Sequence, residues 1–169
     1  VHELEDRPSL LPRRLQAAGY GAGYTGKWHL GTGKDSTFQG SNRPATPTSI
    51  GYEGHDYIGH GGAGTGYADY QAWAKEKGYT PGVKPWSEKT TMIRNGVGVL
   101  NVPTDATVPA YLVDHCIEMV TSFQARNLPF FISLNFWGPH GPYHATEEFV
   151  DMYRDVEIPP WPNYDWPSR

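Results

Sequence analysis

Charge and cysteine are both scarce in this chain, and each shortage excludes a class of protein or bond. Only 19% of the 169 residues are Asp, Glu, Lys or Arg, and the net charge of −4 offers no basic surface for nucleic acid. Cys116 is the single cysteine, so an internal disulfide is excluded. No apolar run approaches the roughly 18 residues that a membrane-spanning helix requires, so we expect no membrane span.

Glycine, proline and aromatic residues are abundant instead. The chain contains 20 Gly and 15 Pro, and 14% of its residues are Phe, Trp or Tyr. This aromatic content is too high for a disordered chain, and the length suffices for one domain with a buried core. We therefore expect a globular body with long, irregular loops.

Two units of helix followed by strand lie about a hundred residues apart. The first has a predicted helix over residues 9–18 and a glycine-rich strand over residues 20–25. The second has a helix that begins at Pro109 and then the apolar run PFFISLNF at 129–136. Because this run is apolar almost throughout, we expect a central strand covered on both faces. The order is that of a layered α/β domain.

The segment between these units, residues 32–108, is expected to be a largely irregular insertion. It contains a predicted helix over residues 67–77 and one short strand near Tyr57. A hairpin around Asn95-Gly96 is a further candidate. After the second unit, a short helix is expected through residues 146–153.

A loop with basic or imidazole groups follows each predicted strand: GKWHLG at 26–31 and GPHGPYH at 138–144. Ligands of layered α/β folds collect beyond the carboxyl ends of the strands, so the two loops are expected at one shared edge. Lys27 and His29 point the same way if their stretch is extended. A lysine suits the oxygens of a sulfate or phosphate ester, and His29 and His140 can donate hydrogen bonds or move protons.

Each of these residues also has a purely structural interpretation. Lys27 alone is more simply a solvated surface charge, and His29 and His140 can merely satisfy backbone groups. Taken together they can bind a tetrahedral anion. The residues themselves supply no obvious nucleophile and no carboxylate cluster for a divalent metal.

The neighbours of the candidate residues leave similar alternatives. Trp28 is better interpreted as a packing residue than as a substrate contact. Tyr143 and His144 either line a cleft or make exposed loop contacts. Cys116 lies in an amphipathic helix, which favours a buried structural thiol over a nucleophile.

Taken together, the motifs resemble those of the sulfatase family. LPRRLQAAGYGAGYTGKWHLG resembles the family's second signature, in which a helix ends at Gly-Tyr and a strand leads to Gly-Lys-Trp-His-Leu-Gly. YLVDHCIEMVTSFQARNLPFFISLNFWGPHGPY is similar to the family's next helix, its Pro-Phe-Phe strand and its Pro-His-x-Pro-Tyr loop. The signature departs from the usual pattern at Ala22 and Thr25, neither of which bears a functional group of the motif.

The resemblance implies a partial alkaline-phosphatase-like α/β/α sandwich, with an incomplete central sheet, helices on both faces and long loops. Residues 1–169 would be the central part of a sulfatase catalytic domain, a single incomplete domain. The full-length parent would be a sulfuric ester hydrolase, and this fragment alone would be inactive. Because sulfatases are often exported, the resemblance also implies a periplasmic, secreted or lysosomal protein.

The resemblance also implies roles for three residues. The lysine matching Lys27 binds the sulfate, and the histidine matching His29 bonds to the hydroxyl of a formylglycine nucleophile and acts as a base. The histidine matching His140 bonds to the sulfate or to the leaving-group oxygen. The formylglycine is expected upstream of Val1, and the ligands of a calcium ion (sometimes magnesium) are expected outside this chain.

The expected substrate is the sulfate ester of a carbohydrate or an aryl group, and the sequence does not indicate an oligomeric state. Two alternatives remain open at this point. One is a related phosphodiesterase or phosphonate monoester hydrolase, which shares this loop chemistry. The other is a non-catalytic fragment that binds anions.

Overall fold

The computed structural model of the chain describes residues 4–30, 45–57, 63–85, 96–157, 159–160 and 162. The helices of the described residues are α1 (Leu11–Ala17), α2 (Ala68–Glu76), α3 (Val108–Ala125) and α4 (Glu147–Asp151). The strands are β1 (Gly21–Gly26), β2 (Glu53–Gly54), β3 (Val83–Lys84), β4 (Val97–Leu100), β5 (Phe130–Asn135) and β6 (Tyr143–Thr146). Single 3-10 turns lie at Thr48–Ile50 and Thr104–Ala106.

The helices form where the sequence predicts them. α1 is followed by Gly19 in the left-handed conformation, with φ of 82°, as expected of a glycine that ends a helix. α3 has Pro109 in its first turn, where the missing N–H of proline has no cost. α2 and α4 also lie within their predicted ranges.

The first sheet joins the two helix–strand units. In the described residues its order is β2-β1-β5, with both pairs parallel. β1 and β5 pair along their whole length, from Gly21 opposite Phe130 to Gly26 opposite Asn135. The carboxyl ends of the two strands therefore lie side by side, as predicted.

The apolar run of β5 forms the predicted strand, but the expectation that it is central and covered on both faces is wrong for the described residues. β5 lies at one side of this sheet, and Phe130 and Phe131 are 38% and 39% exposed. The central, wholly buried strand is instead β1. Its glycines permit this position, because a Cβ at Gly21 would lie 2.3 Å from the Phe123 ring of α3.

A second sheet comes mainly from the segment predicted to be irregular. Its order is β3-β4-β6 in the described residues, with β3 antiparallel and β6 parallel to β4. Val97 pairs with Tyr143, so this sheet contacts the loop after β5. The strand expected near Tyr57 lies just before it, at β2. Asn95 of the candidate hairpin lies outside the described residues.

A cluster of aromatic side chains, here called the aromatic core, connects α2, α3 and the loop after β5. Tyr57, Tyr70, Tyr111 and Trp137 are each at most 4% exposed. Tyr57 donates a hydrogen bond of 2.6 Å to the hydroxyl of Tyr111, and Tyr70 donates one of 2.9 Å to the carbonyl of Ala106. The three tyrosine hydroxyls therefore have partners, as buried polar groups usually do, whereas the indole N–H of Trp137 is buried without a partner in the described residues.

Two stacked histidines lie at the edge of the aromatic core. The rings of His55 and His115 are 3.9 Å apart and nearly parallel, and His115 Nδ1 lies 3.4 Å from the Tyr57 hydroxyl. Burial, with a smaller contribution from His55, lowers the pKa of His115 to about 4, although Asp69 and Asp114 oppose the shift. His115 is therefore neutral at neutral pH.

This pair predicts a loss of stability in acid. The folded pKa of His115 lies below its ordinary value of 6.5, so its contribution is complete above pH 6.5 and is lost as the pH falls towards 4. In the variant His115→Phe, whose ring cannot titrate, the free energy of unfolding should fall less in acid than it does in the parent protein. The expected difference is on the order of 1 kcal/mol, because water partly screens the half-buried ring. Urea unfolding at pH 7, 5.5 and 4 measures it.

The matched control is Gln124→Phe, which places the same ring at an exposed position of α3 that carries no titratable group. It should lose the same free energy of unfolding in acid as the parent protein. Identical pH dependence for His115→Phe and the parent would contradict the prediction.

Candidate active site at the strand ends

Lys27 follows β1 directly, and its backbone is held on both sides. Its N–H donates a hydrogen bond of 2.8 Å to the carbonyl of Asn135, the last residue of β5. Its carbonyl accepts a hydrogen bond of 2.5 Å from the hydroxyl of Tyr24. Burial raises the pKa of Tyr24 to about 12, so this hydroxyl stays protonated and remains a donor. The backbone that carries the half-buried Lys27 side chain is therefore held in place.

Gly26 makes this close approach possible. Its φ is 102°, and a Cβ there would lie 1.9 Å from the carbonyl oxygen of Asn135. A side chain would therefore clash with the same carbonyl that accepts the Lys27 N–H. The glycine before Lys27 is explained by the contact between the ends of β1 and β5.

Trp28 is a packing residue, as its sequence context indicated. It is 5% exposed, its indole N–H donates a hydrogen bond of 2.8 Å to the carbonyl of Ala45, and its ring lies edge-on to Tyr24. Lys27 is half-buried, Trp28 is buried and His29 is exposed. This alternation fits an extended stretch in which Lys27 and His29 face away from the core.

His140 lies in the exposed loop that follows β5. This loop begins at the buried Trp137, whose carbonyl accepts a hydrogen bond of 3.0 Å from the backbone N–H of His140. The imidazole Nδ1 lies 2.5 Å from the carbonyl of Gly141. Because a carbonyl only accepts, Nδ1 must carry a proton. Nε2 is then the ring atom left to accept or donate a proton elsewhere.

A cavity of about 520 Å³ opens beside His140. Tyr143 and His144 of β6 contribute to its wall, so the interpretation of these two residues as cleft residues is the one the structure supports. Both ring nitrogens of His144 are buried without a hydrogen-bond partner in the described residues. Burial also lowers the pKa of His144, which favours the neutral imidazole.

The predicted residues are thus distributed over two neighbouring positions. The pairing of β1 with β5 places Lys27 against Asn135, and His140 follows on the loop from that same strand. The wall of the cavity, as far as the structure describes it, includes His140 but neither Lys27 nor His29. Sequence reasoning missed Asn135 and Tyr24 as anchors of Lys27; the polar residue that ends the apolar run of β5 is the signal for the first.

The described residues do not fit a metal site. Among them, no three His, Cys, Asp or Glu side chains lie close enough together to hold an ion. In the same described part of the chain, no helix combines the length and apolar character that crossing a bilayer requires.

Comparison with known proteins follows this geometry. The sequence profile of the Sulfatase family matches residues 2–164, which include both strand ends and the His140 loop. The chain belongs to the sulfatase family. An uncharacterized sulfatase of Schizosaccharomyces pombe (strain 972 / ATCC 24843) is 26% identical over 151 residues, which cover 89% of this chain and 24% of that protein. The chain therefore spans about a quarter of the length of this curated relative.

Family membership confirms the resemblance of the motifs and the predicted fold class. The mixed α/β architecture of this sulfatase chain is that of part of an alkaline-phosphatase-like fold.

The contact at Gly26 generates a prediction for stability. Gly26→Ala combines an unfavourable φ with the clash against Asn135, so we expect the free energy of unfolding to fall by about 2–5 kcal/mol. Gly19→Ala is the matched control, since φ there is also positive, at 82°, but no atom lies within 4 Å of the added Cβ. Its free energy of unfolding should fall by only about 1–2 kcal/mol. Equal losses on urea denaturation would show that the clash is unimportant.

Proposed function

We propose that the sulfatase containing this chain hydrolyses a sulfate monoester, and that Lys27, His29 and His140 act on the sulfate group. The supporting observation is the in-register pairing of β1 and β5, which ends with the Lys27 N–H on the Asn135 carbonyl. This pairing carries the two loops to the carboxyl edge of one sheet, where ligands of such folds bind.

Lys27 is proposed to bind the sulfate oxygens. A sulfate monoester carries a negative charge spread over its terminal oxygens, and a lysine ammonium is a compact cation with three donors. The backbone of Lys27 is already fixed by Tyr24 and Asn135, so little reorganisation is needed when the anion binds.

His140 is proposed to contact the leaving-group oxygen. As the bond between sulfur and this oxygen breaks, the oxygen gains negative charge and needs a proton. The Nδ1–H of His140 is engaged by the Gly141 carbonyl, so the proton for this step must be carried on Nε2 by the doubly protonated ring. His29, exposed two residues beyond Lys27, is proposed as the base that holds a hydroxyl proton of the nucleophile.

The nucleophile and the metal are proposed to come from other parts of the full-length protein. A formylglycine, formed from the Cys or Ser of a Cys/Ser-x-Pro/Ala-x-Arg motif, would supply the attacking hydroxyl when present. Calcium ligands are proposed there too, in line with the lack of a metal cluster among the described residues and with coverage of 24% of the relative. Export to the periplasm, lysosome or medium is proposed from family habit alone.

Substitution of the candidate residues in the full-length enzyme tests their roles. Lys27→Ala and His140→Ala should each lower kcat/KM on a sulfate ester by about 10²–10⁴, the range for a lost proton-transfer or oxyanion group. Lys77→Ala is the control, since Lys77 lies on the surface with Asp114 and Trp73. It should leave kcat/KM unchanged. A near-normal rate for His140→Ala would contradict the proposed placement of the loop.

The choice of substrate class separates this proposal from its alternative. Lys27 and the two histidines can bind any tetrahedral oxyanion, so a phosphodiesterase or phosphonate monoester hydrolase uses the same groups. We expect kcat/KM of the full-length protein to be higher on an aryl sulfate than on an aryl phosphate diester. The reverse order, or a full-length sequence without the Cys/Ser-x-Pro/Ala-x-Arg motif, would overturn the sulfatase proposal.

A further inference from the structure

We propose that the cavity beside His140 receives the organic part of the sulfate ester, and that it selects an uncharged aromatic alcohol over a sugar acid. This inference rests on the proposed function and specifies the substrate class that the same site takes. It depends on the walls of the cavity, on their charge and on the two histidines that face it.

The walls of the cavity come from several elements. They include β4 and β6 of the second sheet, the loop after β5 and α4. The described lining residues include Val97, Leu100, His140, Tyr143, His144 and Phe149. At about 520 Å³ the cavity lies within the usual range of small-molecule sites. It exceeds severalfold the roughly 150 Å³ that holds a benzene ring, so a fused pair of rings fits.

The described lining residues include no Asp, Glu, Lys or Arg. An anionic sugar acid bound there would lose its hydration and meet no Lys or Arg among the described wall residues, which is unfavourable. An aromatic ring would instead bury apolar surface against side chains such as Val97, Leu100 and Phe149. The charge of the wall therefore discriminates against carboxylated or multiply sulfated sugars.

His144 gives the cavity one polar feature. Its two ring nitrogens are buried without partners in the described residues, and an unpaired buried polar atom is costly. Because burial lowers the pKa of His144, the ring is neutral and offers one donor and one acceptor. The neutral ring therefore adds no charge to the wall of the cavity.

His140 joins this cavity to the proposed chemistry. It lines the cavity and is also the residue proposed to protonate the leaving-group oxygen. When a bond to the nucleophile replaces the bond between sulfur and the leaving-group oxygen, the proton on His140 Nε2 passes to that oxygen, and the released alcohol remains in the cavity. The sulfate is held by the neighbouring Lys27, which does not line the cavity.

Product inhibition of the full-length enzyme tests this assignment. Alcohols are better probes than esters, because hydrolysis rates also reflect the intrinsic reactivity of each leaving group. With an aryl sulfate as substrate, 2-naphthol should inhibit competitively, with a Ki at least tenfold below that of glucuronic acid. Equal Ki values, or tighter binding of glucuronic acid, would overturn the proposal.

Introduction of a positive charge into the wall supplies the matched comparison. Val97→Arg places a cation in the cavity and should raise the Ki of 2-naphthol at least tenfold. Val113→Arg is the control, because Val113 lies on α3 outside the described wall and is 38% exposed, against 41% for Val97. It should leave the Ki unchanged. Equal effects of the two variants would contradict the assignment.

Two further measurements keep the outcomes distinct. If Val97→Arg does not fold, Phe149→Ala, which removes apolar wall at a 49% exposed position, should raise the Ki of 2-naphthol instead, and an unchanged Ki would overturn the proposal. If the full-length protein hydrolyses no sulfate ester, the proposed function fails and this inference fails with it. If it hydrolyses sulfate esters but 2-naphthol does not bind in calorimetry, the assignment of the cavity alone is wrong.

Discussion

The parallel pairing of β1 with β5 is the constraint on which the site depends. It ends with the Lys27 N–H on the Asn135 carbonyl, and the same carbonyl would clash with any side chain at position 26. Since every β1 residue is buried, the strand must accept α3 on its surface and a neighbouring strand at each edge. Glycine meets these demands because it lacks a Cβ.

The aromatic core fixes the second half of the site. Trp137 follows β5 closely and is 4% exposed, with its ring edge-on to Tyr57 at a centroid distance of 5.6 Å. Its carbonyl holds the backbone N–H of His140. The loop that carries His140 is thus anchored by a buried residue at its start, and β6, paired with β4, limits it at its end.

Burial keeps two histidine rings of the molecule uncharged. The desolvation that lowers the pKa of His115 and of His144 keeps both rings neutral near neutral pH. Lys27, by contrast, is a cation beside the end of β5, close to the backbone but outside the wall of the cavity. In the proposed reaction the sulfate would meet the cation, and its organic group would meet a neutral surface.

The sequence by itself determined the helices, the strands β1 and β5, and the motifs that mark the family. These features are local: Gly19 ends a helix, Pro109 starts one, and GKWHLG or PHGPY can be recognised within a few residues. Only the tertiary structure decided that β1 rather than β5 is central in the described sheet, that Asn135 and Tyr24 anchor Lys27, and that a cavity opens beside His140 with no Asp, Glu, Lys or Arg among its described wall residues. Strand order, burial and cavities depend on contacts between residues far apart in the chain, and no local pattern encodes them.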